Sequence, residues 1–233
     1  MNIASNISSI RAHIPEGVTL ICVSKFHPME AIMEAYEAGE RDFGESRVQE
    51  LAQKNSVMPN DVQWHFIGHL QTNKVRQLVP YVSLIHSIDS LRLLECVNTE
   101  AAKIDRVVDV LLQLHVAKEE TKFGFTCEEC LALVASGKVD ELKNVRICGV
   151  MGMATNTDDM DEVRAEFKAI KGVFDELKNS YGAYDYFGEE AFLNAKQTIL
   201  EKANTIMISG IIRFTAASAS SPINRPTNKP SAI

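Results

Sequence analysis

Short strand-like segments alternate with amphipathic ones six times between Val18 and Ser180, and that alternation constrains the fold more than any other feature. "VTLICV" (18–23), "RDFGE" (41–45), "WHFIGH" (64–69), "VSLIHSI" (82–88), "VVDVLLQLHV" (107–116) and "VRICGVMGM" (145–153) read as strands. The first is apolar apart from Thr19, as suits a strand covered on both faces. Between them stand helical patterns: "PMEAIMEAYEAG", "SRVQELAQKN", "QTNKVRQLV", "SLRLLECVNTEAAKI", "CEECLALVASG" and the long "MDEVRAEFKAIKGVFDELKNS". Pro28 suits a first helical turn, Gly39 and Gly137 suit helix ends, and Ser90 is a predicted N-cap. Ahead of the first strand, Ile3, Ile7, Ile10 and Ile14 recur at helical intervals and predict an amphipathic helix.

Strands and helices in strict alternation imply a parallel sheet with right-handed crossovers. An open doubly wound sheet and a (β/α)8 barrel both satisfy that pattern. No G-x-G-x-x-G follows the first strand, which counts against a dinucleotide-binding sheet, and 233 residues suit a TIM-like barrel. The pattern weakens after Tyr181: no clear seventh strand is visible, and "NTIMISGIIRF" (204–214) is the candidate eighth. The last stretch, 215–233, is rich in Ser, Pro, Asn and Ala and offers little apolar surface to offset ordering. The expected organisation is one barrel domain over 1–214 followed by a disordered tail over 215–233.

Composition narrows the partners. A formal charge of -7 argues against a general nucleic-acid binder, although a helix N-terminus can still hold an anion locally. The five cysteines (Cys22, Cys96, Cys127, Cys130 and Cys148) are odd in number and scattered, without a signal-peptide pattern ahead of them. They read as reduced thiols, so the expected compartment is the cytoplasm. No apolar run is long enough to span a bilayer, and no membrane partner is expected.

In parallel α/β folds, ligand-binding groups gather at the C-terminal ends of the strands. Those positions hold Ser24 and Lys25, Glu45 and Ser46, His65 through His69, His86 with Ser87 and Asp89, Lys118 and Lys122, and Met151 to Ala154. Lys25 is the anomaly, because ammonium groups are costly to place at the end of a buried strand. It either snorkels into water or is an amine held for covalent work, since a desolvated lysine can form a Schiff base with an aldehyde. Other pairs carry less. Cys127 and Cys130 form a C-x-x-C on a predicted helix without a second ligand pair, so zinc or redox chemistry is not expected. His65 and His69 fall on a strand and its exit, so they cannot form a helical zinc face.

The segments "VSKFHP", "AGERDFGESRVQE", "WHFIGHLQTNK", "IHSID", "KFGF" and "CGVMGMA" closely resemble, in order and spacing, the pyridoxal-phosphate homeostasis proteins. These are single-domain, fold-type-III relatives of the alanine racemase barrel domain. The resemblance runs from about Val18 to about Lys178 and implies a barrel that holds pyridoxal 5'-phosphate (PLP) as a Schiff base on Lys25. It places His65 and His69 in the loop framing the cofactor mouth, with the "KFGF" turn close by. The implied cofactor-binding set is Lys25, Ser46, His65, Gly68, Met151, Asn204 and Thr205. PLP-dependent apoenzymes are the candidate recipients of the cofactor, and a monomer is expected.

The chain leaves the family pattern near its end. Family members carry a S-M-G-M-S strand and then G-S-T-x-V-R-x-G-x-x-I-F, which holds the phosphate and supplies an arginine to the pyridine nitrogen. The first motif is missing here. Laid on "ANTIMISGIIRF", the second matches at Thr205, Gly210 and Phe214, while Ala203 and Asn204 replace Gly and Ser and Ile208 replaces the arginine. An isoleucine cannot hydrogen-bond a ring nitrogen. A fold-type-III racemase also needs a second, β-rich domain for its acid/base partner, and this length leaves no room for one. The expectation is therefore a non-catalytic carrier. A racemase-like enzyme completed by a partner chain and a degenerate barrel without ligand are the alternatives.

Overall fold

The computed structural model describes residues 3–15, 18–117 and 123–181. Within them lie α1 (Ile3–Arg11), β1 (Cys22–Val23), α2 (Met29–Glu37), β2 (Asp42–Glu45), α3 (Val48–Val57) and β3 (Gln63–Phe66). They continue with α4 (Val75–Leu78), β4 (Val82–Ile88), α5 (Leu91–Ala102), β5 (Val108–Leu114), α6 (Cys127–Ala135), β6 (Val145–Gly152) and α7 (Met160–Tyr181). The six strands form one sheet in the order β1-β2-β3-β4-β5-β6, and each neighbouring pair is parallel. Spatial order thus equals chain order, so every crossover steps the same way round. A doubly wound sheet reverses direction at a switch point, whereas a barrel wall does not. The candidate eighth strand, the tail over 215–233, Asn204 and Thr205 lie outside the described residues.

Side chains alternate across each strand, so each strand serves two environments. Phe43, Trp64, Phe66, Ile85, Val110, Leu112 and Leu114 join a large apolar layer with Leu51, Leu78, Leu94, Val97 and Leu177 of the helices. Fully burying one such side chain contributes about 1.5–3 kcal/mol, which makes this layer the main source of stability. A second, smaller cluster (Leu84, Leu111, Cys148 and Met151) comes from the alternate positions of β4, β5 and β6 and faces the other way.

The helix ends follow local chemistry. Ser90 caps α5, its Oγ accepting from the Leu93 N–H at 3.3 Å, as predicted. Thr126 and Glu129 form a reciprocal capping box on α6 that the sequence reading passed over. Three expectations need correction. The strand over 18–23 is hydrogen-bonded to β2 only at Cys22 and Val23. The strand over 64–69 ends at Phe66, because the next residues turn to pack against the exit of β2. "QTNKVRQLV" gives a 3-10 turn over Thr72–Lys74 and a four-residue helix rather than one continuous helix.

Candidate functional site

Lys25 lies in the turn directly after β1, half-buried, at the C-terminal end of the sheet. Among the described residues its ammonium makes no hydrogen bond and no ion pair. The turn is closed by the His27 N–H donating to the Ser24 carbonyl at 3.0 Å, with Lys25 and Phe26 as its central residues. Phe26 has φ 65°, a left-handed conformation that is costly for a bulky side chain. The residue is 66% exposed, so burial does not hold it there.

The exits of β2 and β3 meet beside this turn. A Cβ on Gly68 would stand 2.4 Å from the Ser46 carbonyl oxygen and 2.8 Å from its Cα, so only glycine permits this approach of the two loops. The Ser87 hydroxyl donates to the Gly68 carbonyl at 2.5 Å and fixes the loop from β4. Two of the predicted residues, Ser46 and Gly68, are therefore neighbours. Met151 lies further round the sheet, buried in β6 within the small inner cluster.

His65 sits elsewhere than expected. It belongs to β3 rather than to the loop, it is buried, and both ring nitrogens face protein groups. Nε2 lies 3.0 Å from Asp42 Oδ1, and Nδ1 lies 2.9 Å from His86 Nε2. Asp42 accepts from His65 Nε2–H, and the two imidazoles share the bond between His65 Nδ1 and His86 Nε2. This chain crosses the inner face of β2, β3 and β4 below the mouth. His69 does stand in the exit loop, stacked on Phe123 with ring centroids 3.8 Å apart and Nδ1 3.2 Å from Asp89 Oδ2. Lys118 and Lys122 lie outside the described residues. A cleft of about 370 Å³ opens beside His69, lined by Thr72, Asn73, Asp89, Ser90 and Arg92 among others; Lys25, Ser46, His65, Gly68 and Met151 do not line it.

Behind the Lys25 turn is a buried charged cluster that sequence reasoning missed. Lys54 of α3 donates to Glu45 Oε1, Glu50 Oε1 and the Ser24 carbonyl, each at 2.7 Å. Ser24 Oγ donates to the same Glu45 oxygen at 2.6 Å, and the Phe26 N–H donates to Glu50 Oε1 at 2.7 Å. Burial pushes the Glu45 carboxyl up from its ordinary value, and the bonds from Lys54 and Ser24 offset only part of that. Glu50 moves the other way. Burial also acts to raise it, but the Lys54 and Phe26 N–H bonds outweigh burial and hold it low. The only sequence signal was a lysine one helical turn after Glu50 in "ESRVQELAQKN".

A family model, the N-terminal domain of alanine racemase, matches residues 1–187. The pyridoxal phosphate homeostasis protein of Schizosaccharomyces pombe is 34% identical over 188 residues, covering 77% of this chain and 78% of that protein. That of Aquifex aeolicus is 35% identical over 196 residues, covering 84% and 85%. PipY of Synechococcus elongatus, solved with PLP bound, superposes with a TM-score of 0.69 at 35% identity, covering 76% of this chain and 82% of that one. Alanine racemase from Streptomyces coelicolor, 17% identical and matched over 49% of its length with a TM-score of 0.66, shares the fold alone. The class is thus the alanine racemase-type (β/α)8 barrel. Within that class, the chain belongs to the pyridoxal phosphate homeostasis protein family.

Proposed function

We propose that this chain is a non-catalytic PLP-binding protein of intracellular PLP homeostasis, with the cofactor held as a Schiff base on Lys25. The observation that carries the reading is Lys25 itself, a half-buried amine with no partner among the described residues, at the strand end where barrels place ligands. PLP supplies an aldehyde, with which an amine condenses with loss of one water. The local geometry fits such a group. The amine is not engaged elsewhere, and the Ser46–Gly68 approach brings two loops close together beside it. Met151 borders the inner face, and His65 acts one layer below as part of the wall that orients His86.

The carrier reading is supported by the relatives, which bear the homeostasis name and are matched over most of their length. PLP-dependent apoenzymes are the recipients this reading assigns. Five free thiols favour the reducing cytosol as its compartment.

Purified protein should be given PLP, reduced with borohydride and mapped by peptide mass. The expected result is one phosphopyridoxyl group on Lys25, absent in Lys25→Ala with its circular dichroism unchanged. No alanine racemisation should accompany it. An adduct on Lys54, Lys118 or Lys122 instead would overturn the assignment, and racemisation by the parent would overturn the carrier role.

A further inference from the structure

We infer that Lys54, acting with Glu50, is the positioning residue for Lys25: together they hold the two peptide groups on either side of it and thereby set where its amine stands. The inference rests on the reading of Lys25 above. The peptide before Lys25 presents the Ser24 carbonyl, which accepts from Lys54 Nζ at 2.7 Å. The peptide after it presents the Phe26 N–H, which donates to Glu50 Oε1 at 2.7 Å. Lys54 and Glu50 are one turn apart on α3 and are themselves paired at 2.7 Å. One rigid helix therefore grips both ends of a single residue.

The grip is directional because Lys54 has no freedom left. An ammonium has three N–H donors. Here they go to the Ser24 carbonyl, Glu45 and Glu50, and the side chain is 8% exposed. Lys54 has no donor left for a ligand, in contrast to Lys25. Glu45 in turn closes the cluster on β2, through Lys54 Nζ at 2.7 Å and Ser24 Oγ at 2.6 Å. The position of the Lys25 turn is thus referred to both α3 and the sheet.

Stability alone is a poor explanation for this cluster. Burying a lysine with two carboxylates costs desolvation, and apolar replacements of buried ion pairs are often neutral or better. Among the described residues, Glu45 Oε2 is also buried without a hydrogen-bond partner, an expense that a purely structural contact does not need. The Lys25 turn needs an external hold because Phe26 is left-handed and mostly exposed. Arg47 at the start of α3, 4.8 Å over that ring, adds a third contact from the same helix.

The test compares the parent with Lys54→Met, Lys54→Arg and Glu50→Gln, first without and then with PLP. Without PLP, the readouts are hydrogen exchange of the Phe26 amide and the pH profile of Lys25 acetylation by limiting acetic anhydride. In Glu50→Gln the Phe26 N–H meets a neutral acceptor in place of a charged one, and in Lys54→Met that acceptor loses its partner. Phe26 exchange should therefore speed by roughly tenfold or more in both. The acetylation midpoint of Lys25 should move in both, and Lys54→Arg should return it part of the way. With saturating PLP, fixation on Lys25 should slow by about the same factor, since one tenfold step corresponds to a lost contact of this kind. Glu50→Gln keeps shape and removes only charge, so it decides the matter if Lys54→Met fails to fold. Unchanged exchange and an unchanged acetylation profile in Glu50→Gln would overturn the inference. A parent that takes no PLP on Lys25, while its variants still loosen the turn, would instead defeat the cofactor reading and leave the clamp standing.

Discussion

The helix-facing side of the sheet and its inner side are built from different chemistry. Outside, Phe43, Trp64, Phe66, Ile85 and Leu112 pack with helix side chains into one continuous apolar layer. Inside, four apolar residues share the face with the Asp42–His65–His86 chain and with Arg146, which grips Asp109 through two bonds of 2.7 and 2.6 Å. The outer layer can be large and apolar because nothing but helices must fit against it. The inner face carries polar groups that hydrogen-bond one another across the strands, as buried polar groups must. The Glu45–Lys54 pair breaks the rule by placing charge on the outer side, and it does so where the loop above carries Lys25.

If the outer layer sets stability, truncating it should cost most. Leu112→Ala should lose about 3–5 kcal/mol by urea unfolding, from lost transfer energy and a residual cavity. Met151→Ala, in the small inner cluster, should lose nearer to about 2 kcal/mol. Equal losses would break the contrast between the two faces.

Two glycines sharpen the same contrast at smaller scale. Gly68→Ala forces a Cβ to within 2.4 Å of the Ser46 carbonyl, and overpacking of that kind typically costs about 1–3 kcal/mol. Gly172, inside α7, has nothing among the described residues within 4 Å of where a Cβ would stand. Gly172→Ala should therefore stabilise by up to about 1 kcal/mol, the helix-propensity difference. Thermal unfolding reads both, and a stabilising Gly68→Ala would contradict the close approach of the two loops.

Acid should affect the charged cluster through Glu50. Its folded pKa lies below its unfolded value, so its bonds contribute stability above the ordinary carboxylate range, lost as pH falls through the depressed value. Glu45 is raised and has the opposite sign: it contributes stability at low pH that is lost as pH rises through its folded value. Glu50→Gln should flatten the fall in urea midpoint from the ordinary carboxylate range, about pH 4, downward, where the depressed group titrates. Glu45→Gln should remove a contribution of the opposite sign, and so steepen the fall on the neutral side of that range.

The smallest effect concerns reactivity. Burial pushes the Cys22 and Cys130 thiols up to about 12, the first also under the influence of Glu40. Cys96 and Cys127 are raised as well, chiefly by burial, but both are only partly buried. Iodoacetamide under native conditions should therefore modify Cys96 and Cys127 well before Cys22 and Cys130. Early labelling of Cys130 would mean that α6 opens from the sheet.

Strand-helix alternation, the parallel sheet and the position of Lys25 at the end of β1 were legible in the sequence, because periodicity and the rarity of a lysine at a buried strand end are local signals. Ser90 was legible as a cap for the same reason: its partner is three residues away. Strand ends were less so. β3 stops early because Gly68 meets Ser46, which is a contact between loops distant in sequence. The inward turn of His65 toward His86 and Asp42 depends on the register of three strands, and no single segment encodes it. The Lys54 cluster joins Ser24, Glu45 and Glu50 across separations of up to 30 residues, and a lysine on a charged helix looks solvent-facing until the sheet is packed beneath it. Local pattern determined which residues form strands and where a reactive amine could stand. Tertiary packing decided which polar side chains were taken out of water, because desolvation and pairing are properties of the assembled faces.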